Sequence, residues 1–318
     1  MTYEDMILGL PRQFSYRPEI IHADKLPADF DRVIIAGMGG SRLAPDFLNI
    51  HRPDLELHIH SDYDLPHFTP DHLRHSFVIA HSYSGNTAET VSATNMALQH
   101  NLPLAVIASG GELIRLAQEH DLPHVILPVN DLVPRLAVGY EIMALAGILK
   151  LDLTSIILCG RISGQAPAFL PDAVRHLEGS IPLVYAPNRF NELGYGWKII
   201  LNETAKMPAF CNRFPELDHN ELEALIDAAN PQQFRCIILE DQENPRIMNR
   251  IAQTIKLLET RGVKSYSIPL EGETPIEKVI HSLISAHWIA LALANKRSID
   301  PIRVPAIESF KHELCENS

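Results

Sequence analysis

The sequence predicts an α/β protein built on two doubly wound parallel sheets. Three observations carry that prediction. Short apolar runs of about five residues alternate with stretches of helical periodicity along most of the chain. Glycine and hydroxyl residues punctuate the turns that end the first of those runs. After an ambiguous stretch at 152–163, the same alternation starts again in the second half. Strand–helix alternation of this kind builds βαβ units, whose parallel strands lie beneath helices on both faces. At 318 residues the chain exceeds what one core usually holds, so two domains are expected: 1–150 and 151–318.

Taken in order, residues 3–10 can form a leading helix. Val33-Ile34-Ile35-Ala36-Gly37-Met38 is apolar and β-branched and ends in glycine, which gives a buried strand and a turn. Ser41 then stands where it could cap a helix to about residue 50. Alternation at 55–60 gives a second strand, and 76–80, 104–108 and 124–128 give three more. Helices are expected at 87–100, 112–120 and 134–149, while 154–158 reads as strand or helix end. In the second half, 181–186, 235–240 and 263–268 read as strands. Helical periodicity covers 165–180, 191–206, 245–260, 275–295 and 308–314.

Composition narrows the class of function. Hydrophobic residues make up 46% and charged residues 21%, as in ordinary globular proteins. A formal net charge of -12 argues against nucleic acid and anionic membranes as main partners. Any anionic ligand must therefore be held by a local site. Cysteines at 159, 211, 236 and 315 form no C-x-x-C pair and read as reduced thiols of a cytoplasmic protein. The N-terminus lacks a secretory pattern, and no apolar run is expected to reach the roughly 20 residues that span a bilayer.

The stretch richest in chemistry is His81-Ser82-Tyr83-Ser84-Gly85-Asn86-Thr87. It lies where a buried strand hands over to a helix. Helix N-termini carry unpaired N–H groups and partial positive charge, and so attract anions. Ser82, Ser84 and Thr87 add hydroxyl donors, and Gly85 allows a tight turn. The stretch reads as a phosphate cradle; an ordinary turn with a hydroxyl cap is the plain alternative. A second turn, Gly37-Met38-Gly39-Gly40-Ser41-Arg42, fails the dinucleotide fingerprint at its last position, which is Arg42. There Gly39, Gly40 and Ser41 can let backbone and hydroxyl approach a sugar phosphate. In a doubly wound sheet both turns can face one crevice at a topological switch point. Histidines 58, 60, 67, 72 and 75 match no zinc spacing, so no metal is expected there.

GMGGS at 37–41, SYSGNTAET at 82–90, NE at 202–203, LDHNE at 217–221 and SFKHEL at 309–314 together resemble the bifunctional phosphoglucose/phosphomannose isomerases. These are small members of the phosphoglucose isomerase superfamily. The resemblance implies two flavodoxin-like SIS (sugar isomerase) domains, the first holding phosphate and the second the base. It also implies a homodimer with active sites between domains and subunits. By the same resemblance Ser82, Ser84 and Thr87 are phosphate ligands, with Gly40 and Ser41 beside the sugar. Arg135 matches the arginine against the reacting carbons, and Glu203 the base. His219 matches the histidine that reaches the substrate from the partner subunit, and Lys311 the C-terminal lysine. Two positions depart from the pattern: Arg42, often glycine, and Ile302, often threonine.

Aldose–ketose interconversion needs these residue types. An acid must open the sugar ring, and His219 and Lys311 are the candidates. A carboxylate must move a proton between C1 and C2, and Glu203 is the choice. A fixed guanidinium, Arg135, would stabilise the cis-enediolate charge. Neither a metal nor an organic cofactor is required. The expected activity interconverts glucose 6-phosphate, and mannose 6-phosphate as well, with fructose 6-phosphate. The alternatives are an isomerase of another sugar or amino-sugar phosphate, or a non-catalytic sugar-phosphate sensor.

Overall fold

A computed structural model describes residues 1–128 and 131–316. Their contacts divide the chain into two compact units. The first comprises Met1, Asp5–Gln165 and Leu270–Ile284; the second comprises Thr2–Glu4, Ala166–Pro269 and the chain from Ser285 on.

The chain opens with α1 (Tyr3–Gly9) and a 3-10 stretch, Leu10–Ser15. Then follow β1 (Arg32–Ala36), α2 (Gly40–His51), β2 (Leu57–His60), α3 (Pro70–Arg74) and β3 (Ser76–His81). Next come α4 (Ala88–Gln99), β4 (Leu104–Ala108), α5 (Gly111–Glu119) and β5 (His124–Ile126). A 3-10 turn, Pro134–Leu136, leads into α6 (Val138–Ile148), and α7 (Thr154–Leu158) closes this run. The first sheet is all parallel, in the order β2-β1-β3-β4-β5. Every residue of β3 and β4 is buried, which is why those strands read as unbroken apolar runs rather than alternating ones. The order reverses direction between β1 and β3, and Ala36 lies opposite Ala80. The turns after these two strands therefore begin side by side at the switch point.

The second unit holds α8 (Leu170–Leu177), β6 (Ile181–Pro187), α9 (Asn191–Glu203), β7 (Phe210–Phe214) and α10 (Glu221–Ile226). It continues with β8 (Phe234–Glu240), α11 (Pro245–Thr260) and β9 (Lys264–Pro269). The sheet is again parallel, in the order β7-β6-β8-β9. After α12 (Pro275–Lys296), which begins in the first unit's share of the chain, α13 (Pro305–Glu316) ends the described residues.

Several expectations need correction. β7 is not foreseen: Phe-Cys-Asn-Arg-Phe lacks an apolar run because the strand sits at a sheet edge, with Phe210 56% exposed. The 134–149 helix starts only at Val138, and the 165–180 helix shrinks to eight residues. Residues 154–158 are helical. Helix α12 is also long and apolar enough to cross a membrane, against expectation. It is a core helix here, with most of its apolar stretch buried inside the structure.

Candidate active site

In the first unit three segments converge at the switch point. Gly39 precedes α2 with φ +55, a conformation that disfavours side chains, and a Cβ there would otherwise meet open space among the described residues. Gly40 is different: its Cβ would lie 3.1 Å from the Arg135 backbone nitrogen and from Pro134 Cβ. The first turn of α2 is thus pressed against the Pro134–Leu136 turn. Ser41 does not cap α2, whose cap position is Gly39. Its buried hydroxyl instead accepts a 2.8 Å hydrogen bond from the Tyr83 N–H. Arg135 itself is 2% exposed.

Within the Ser-rich turn, the buried Ser82 hydroxyl lies 2.8 Å from that of Thr87 and accepts from Gly85 N–H at 3.2 Å. Thr87 occupies the cap position of α4, yet its side chain accepts no hydrogen bond from that helix's first turn. Its hydroxyl has turned toward Ser82, so the plain capping role is not the one it plays. Ser84 is exposed and accepts from Asn86 N–H at 3.3 Å. Gly85 has φ +72, and any Cβ would overlap the Gly110 carbonyl oxygen. Asn86 Oδ1 accepts from Glu112 N–H at 2.9 Å and ties the turn to α5. Burial, and then the charge of Glu141, push the Tyr83 hydroxyl up to about 12. The structure thus brings Gly39, Gly40, Ser41, Ser82, Ser84, Thr87 and Arg135 into one set of touching segments.

The remaining candidates stand on three different elements of the second unit. Glu203 is the last residue of α9 and is half-buried. The Lys206 ammonium donates to its backbone carbonyl, and Asn202 Oδ1 accepts from Ala209 N–H at 2.9 Å, turning the chain toward β7. His219 ends a 3-10 turn, Glu216–His219, and is exposed. Lys311 is exposed on α13.

The Leu217-Asp218-His219-Asn220-Glu221 motif has a division of labour that the sequence did not reveal. Leu217 is buried. Asp218 accepts from the Thr254 hydroxyl at 2.8 Å and pairs with Arg250 at 3.1 Å. Glu221 accepts from Tyr185 at 2.5 Å and from Asn212 at 2.6 Å. The carboxylates flanking His219 therefore anchor the motif while the histidine is presented outward. Tyr185 holds its proton far above the usual range, through burial first. Only the spacing of acidic residues around the histidine hinted at these anchors.

The model of the bacterial phospho-glucose isomerase C-terminal SIS domain matches residues 172–314. A bifunctional phosphoglucose/phosphomannose isomerase of Thermoplasma acidophilum is 30% identical over 297 residues, 90% of this chain and 90% of that one. The chain belongs to that family. Another member of the bifunctional isomerase family, from Thermoplasma volcanium, is 29% identical over 292 residues, 90% of this chain and 92% of that one. Among solved structures, tagatose-6-phosphate ketose/aldose isomerase from Escherichia coli shares the fold. Its TM-score is 0.70 at 15% identity, with 95% of this chain and 96% of that one covered.

Arg42 and Ile302 are the two positions at which the resemblance leads one to expect other residues, and the structure shows what each contacts. The Arg42 guanidinium is engaged by buried Asp46 at 2.9 Å and by Ser61 at 3.3 Å, within and beside α2. Ile302 lies in a turn closed by Asp300 Oδ1, which accepts from Ile302 N–H at 2.8 Å. His58 packs edge-on against Phe68 and His60 meets the Tyr63 carbonyl at 3.2 Å. Among the described residues no group of three or more His, Cys, Asp or Glu side chains is arranged to hold a metal ion.

Proposed function

We propose that this protein interconverts glucose 6-phosphate and mannose 6-phosphate with fructose 6-phosphate, as a cytoplasmic homodimer. The observation that carries the reading is the convergence of 37–41, 82–87 and 134–135 at the switch point of the first sheet. Family membership and the sugar-phosphate activity in the relatives' names support the substrate class.

In this reading the first domain, 1–150, holds phosphate with Ser82, Ser84, Thr87 and the N–H groups that open α4. Gly39, Gly40 and Ser41 admit the sugar beside Arg135. The second domain, 151–318, supplies Glu203, which takes the proton from C2 of the aldose and returns it to C1. His219, from the partner subunit, and Lys311 exchange protons with the ring oxygen and the anomeric hydroxyl during opening. Arg135 stabilises the cis-enediolate: its guanidinium is already desolvated, and charge is worth more in a dry site. One enediolate is common to both epimers at C2, so one site can serve both aldoses.

The test is incubation of purified protein with glucose 6-phosphate and, separately, mannose 6-phosphate while fructose 6-phosphate is followed. Product from both is expected. Binding without product from either would favour a sensor and overturn the reading.

A further inference from the structure

His81 is the last residue of β3, immediately before the hydroxyl turn, and Glu141 lies on α6, six residues beyond Arg135. Both side chains are 0% exposed. His81 Nε2 and Glu141 Oε1 are 3.5 Å apart. Among the described residues, none of their four side-chain nitrogen and oxygen atoms has a hydrogen-bond partner. Glu141 is the one charged residue among those buried on α6, whose other buried residues are Val138, Gly139, Ile142, Met143, Ala144, Leu145, Ala146 and Ile148.

Such a pair is expensive. Two desolvated charges, or a shared proton, gain little from a 3.5 Å contact without further hydrogen bonds, and an apolar pair of similar volume is often at least as stable. Nor is the pair needed to hold the start of α6. Gln13 already does that, accepting from Gly139 N–H at 2.9 Å and donating to Leu136 carbonyl at 2.7 Å. What the pair joins is the end of β3 and α6. The Ser82 turn hangs from the first; the Arg135 turn precedes the second.

We propose that His81 and Glu141 are positioning residues of the sugar-phosphate site: the buried pair ties the end of β3 to α6 and so sets the spacing between the hydroxyl turn and Arg135. The inference rests on reading the Ser82–Thr87 turn as the phosphate site. Glu141, Tyr140 and Asp131 all act electrostatically on Tyr83, the residue that follows Ser82. The pair acts on where the ligand sits, not on the proton transfer.

The test uses the full chain with two variants, the His81→Leu/Glu141→Met double and the single Glu141→Gln. Thermal unfolding reports the fold, calorimetric titration gives Kd for inorganic phosphate, and turnover of fructose 6-phosphate gives KM and kcat. The double variant is expected to melt at or above the wild-type temperature. Its phosphate Kd and its KM should rise about tenfold, with kcat within about twofold. A folded double variant with wild-type Kd and KM overturns the proposal, as does one that loses kcat with KM unchanged. Should the double variant fail to fold, Glu141→Gln decides: an unchanged phosphate Kd overturns, a weakened one supports. A wild-type protein that binds phosphate but turns over neither sugar defeats the isomerase reading, while the Kd comparison still judges the pair.

Discussion

The Ser41 hydroxyl accepts a 2.8 Å hydrogen bond from the Tyr83 N–H, so the turns that follow β1 and β3 behave as one piece.

Replacing Ser41 with alanine should break that coupling. The Tyr83 N–H would lose its acceptor in a buried place, which costs about 1–3 kcal/mol. Urea unfolding is expected to show a loss in that range, and KM for fructose 6-phosphate should rise more than kcat falls. An unchanged midpoint and KM would show that the link carries no weight.

Glu203→Gln should separate binding from chemistry. Removing a general base typically costs about 10²–10⁴ in rate. The Lys206 contact is to the Glu203 backbone carbonyl, so the end of α9 should survive the change. Single-turnover kinetics with fructose 6-phosphate should collapse while the Kd for inorganic phosphate stays at its wild-type value. An active variant rules Glu203 out as the base.

Asp218 and Arg250 form a pair of unequal value. The Asp218 side chain is 8% exposed and also holds Thr254, whereas Arg250 is 42% exposed and can return to water. Asp218→Ala is therefore expected to cost about 1–2 kcal/mol and to lower kcat through His219, while Arg250→Ala costs under about 1 kcal/mol. Equal effects on stability and turnover in the two variants would refute the anchoring role.

Alkaline pH should weaken the fold. Burial, and then the nearby carboxylates of Glu277 and Glu221, push the Cys159 and Cys236 thiols up to about 12 from an ordinary 9.0. An unfolded chain releases those protons from pH 9, while the folded chain retains them until near 12. Stability is thus intact below pH 9 and drains above it, by up to about 1.4 kcal/mol per pH unit for each thiol. Urea midpoints measured between about pH 8.5 and 10.5 should fall, and fall less steeply in a Cys159→Ala/Cys236→Ala double variant. Parallel slopes would discount the thiols.

Much of the fold was legible because parallel strands buried on both faces must be apolar throughout, as β3 and β4 are. Edge strand β7 escaped notice because only one side of it needs a neighbour, so nothing forces its composition. The hydroxyl turn was legible from local density alone. The use made of each hydroxyl was not: Ser41 looks like a cap in sequence and serves Tyr83 in space. Asp218, Glu221, and the His81–Glu141 pair were hidden for a different reason. Their partners lie between 9 and 60 residues away in sequence, and a single chain carries no record of such pairings until it folds.

The orientation of Thr87 has a consequence of its own. A threonine at that position could have closed off the first turn of α4, and here its oxygen faces Ser82 instead. On the proposed reading of the turn, a bound phosphate would complete the opening amides of α4. Occupancy and local order would then be a single event, and amide exchange at residues 88–90 is expected to slow in proportion to the fraction of protein that holds phosphate.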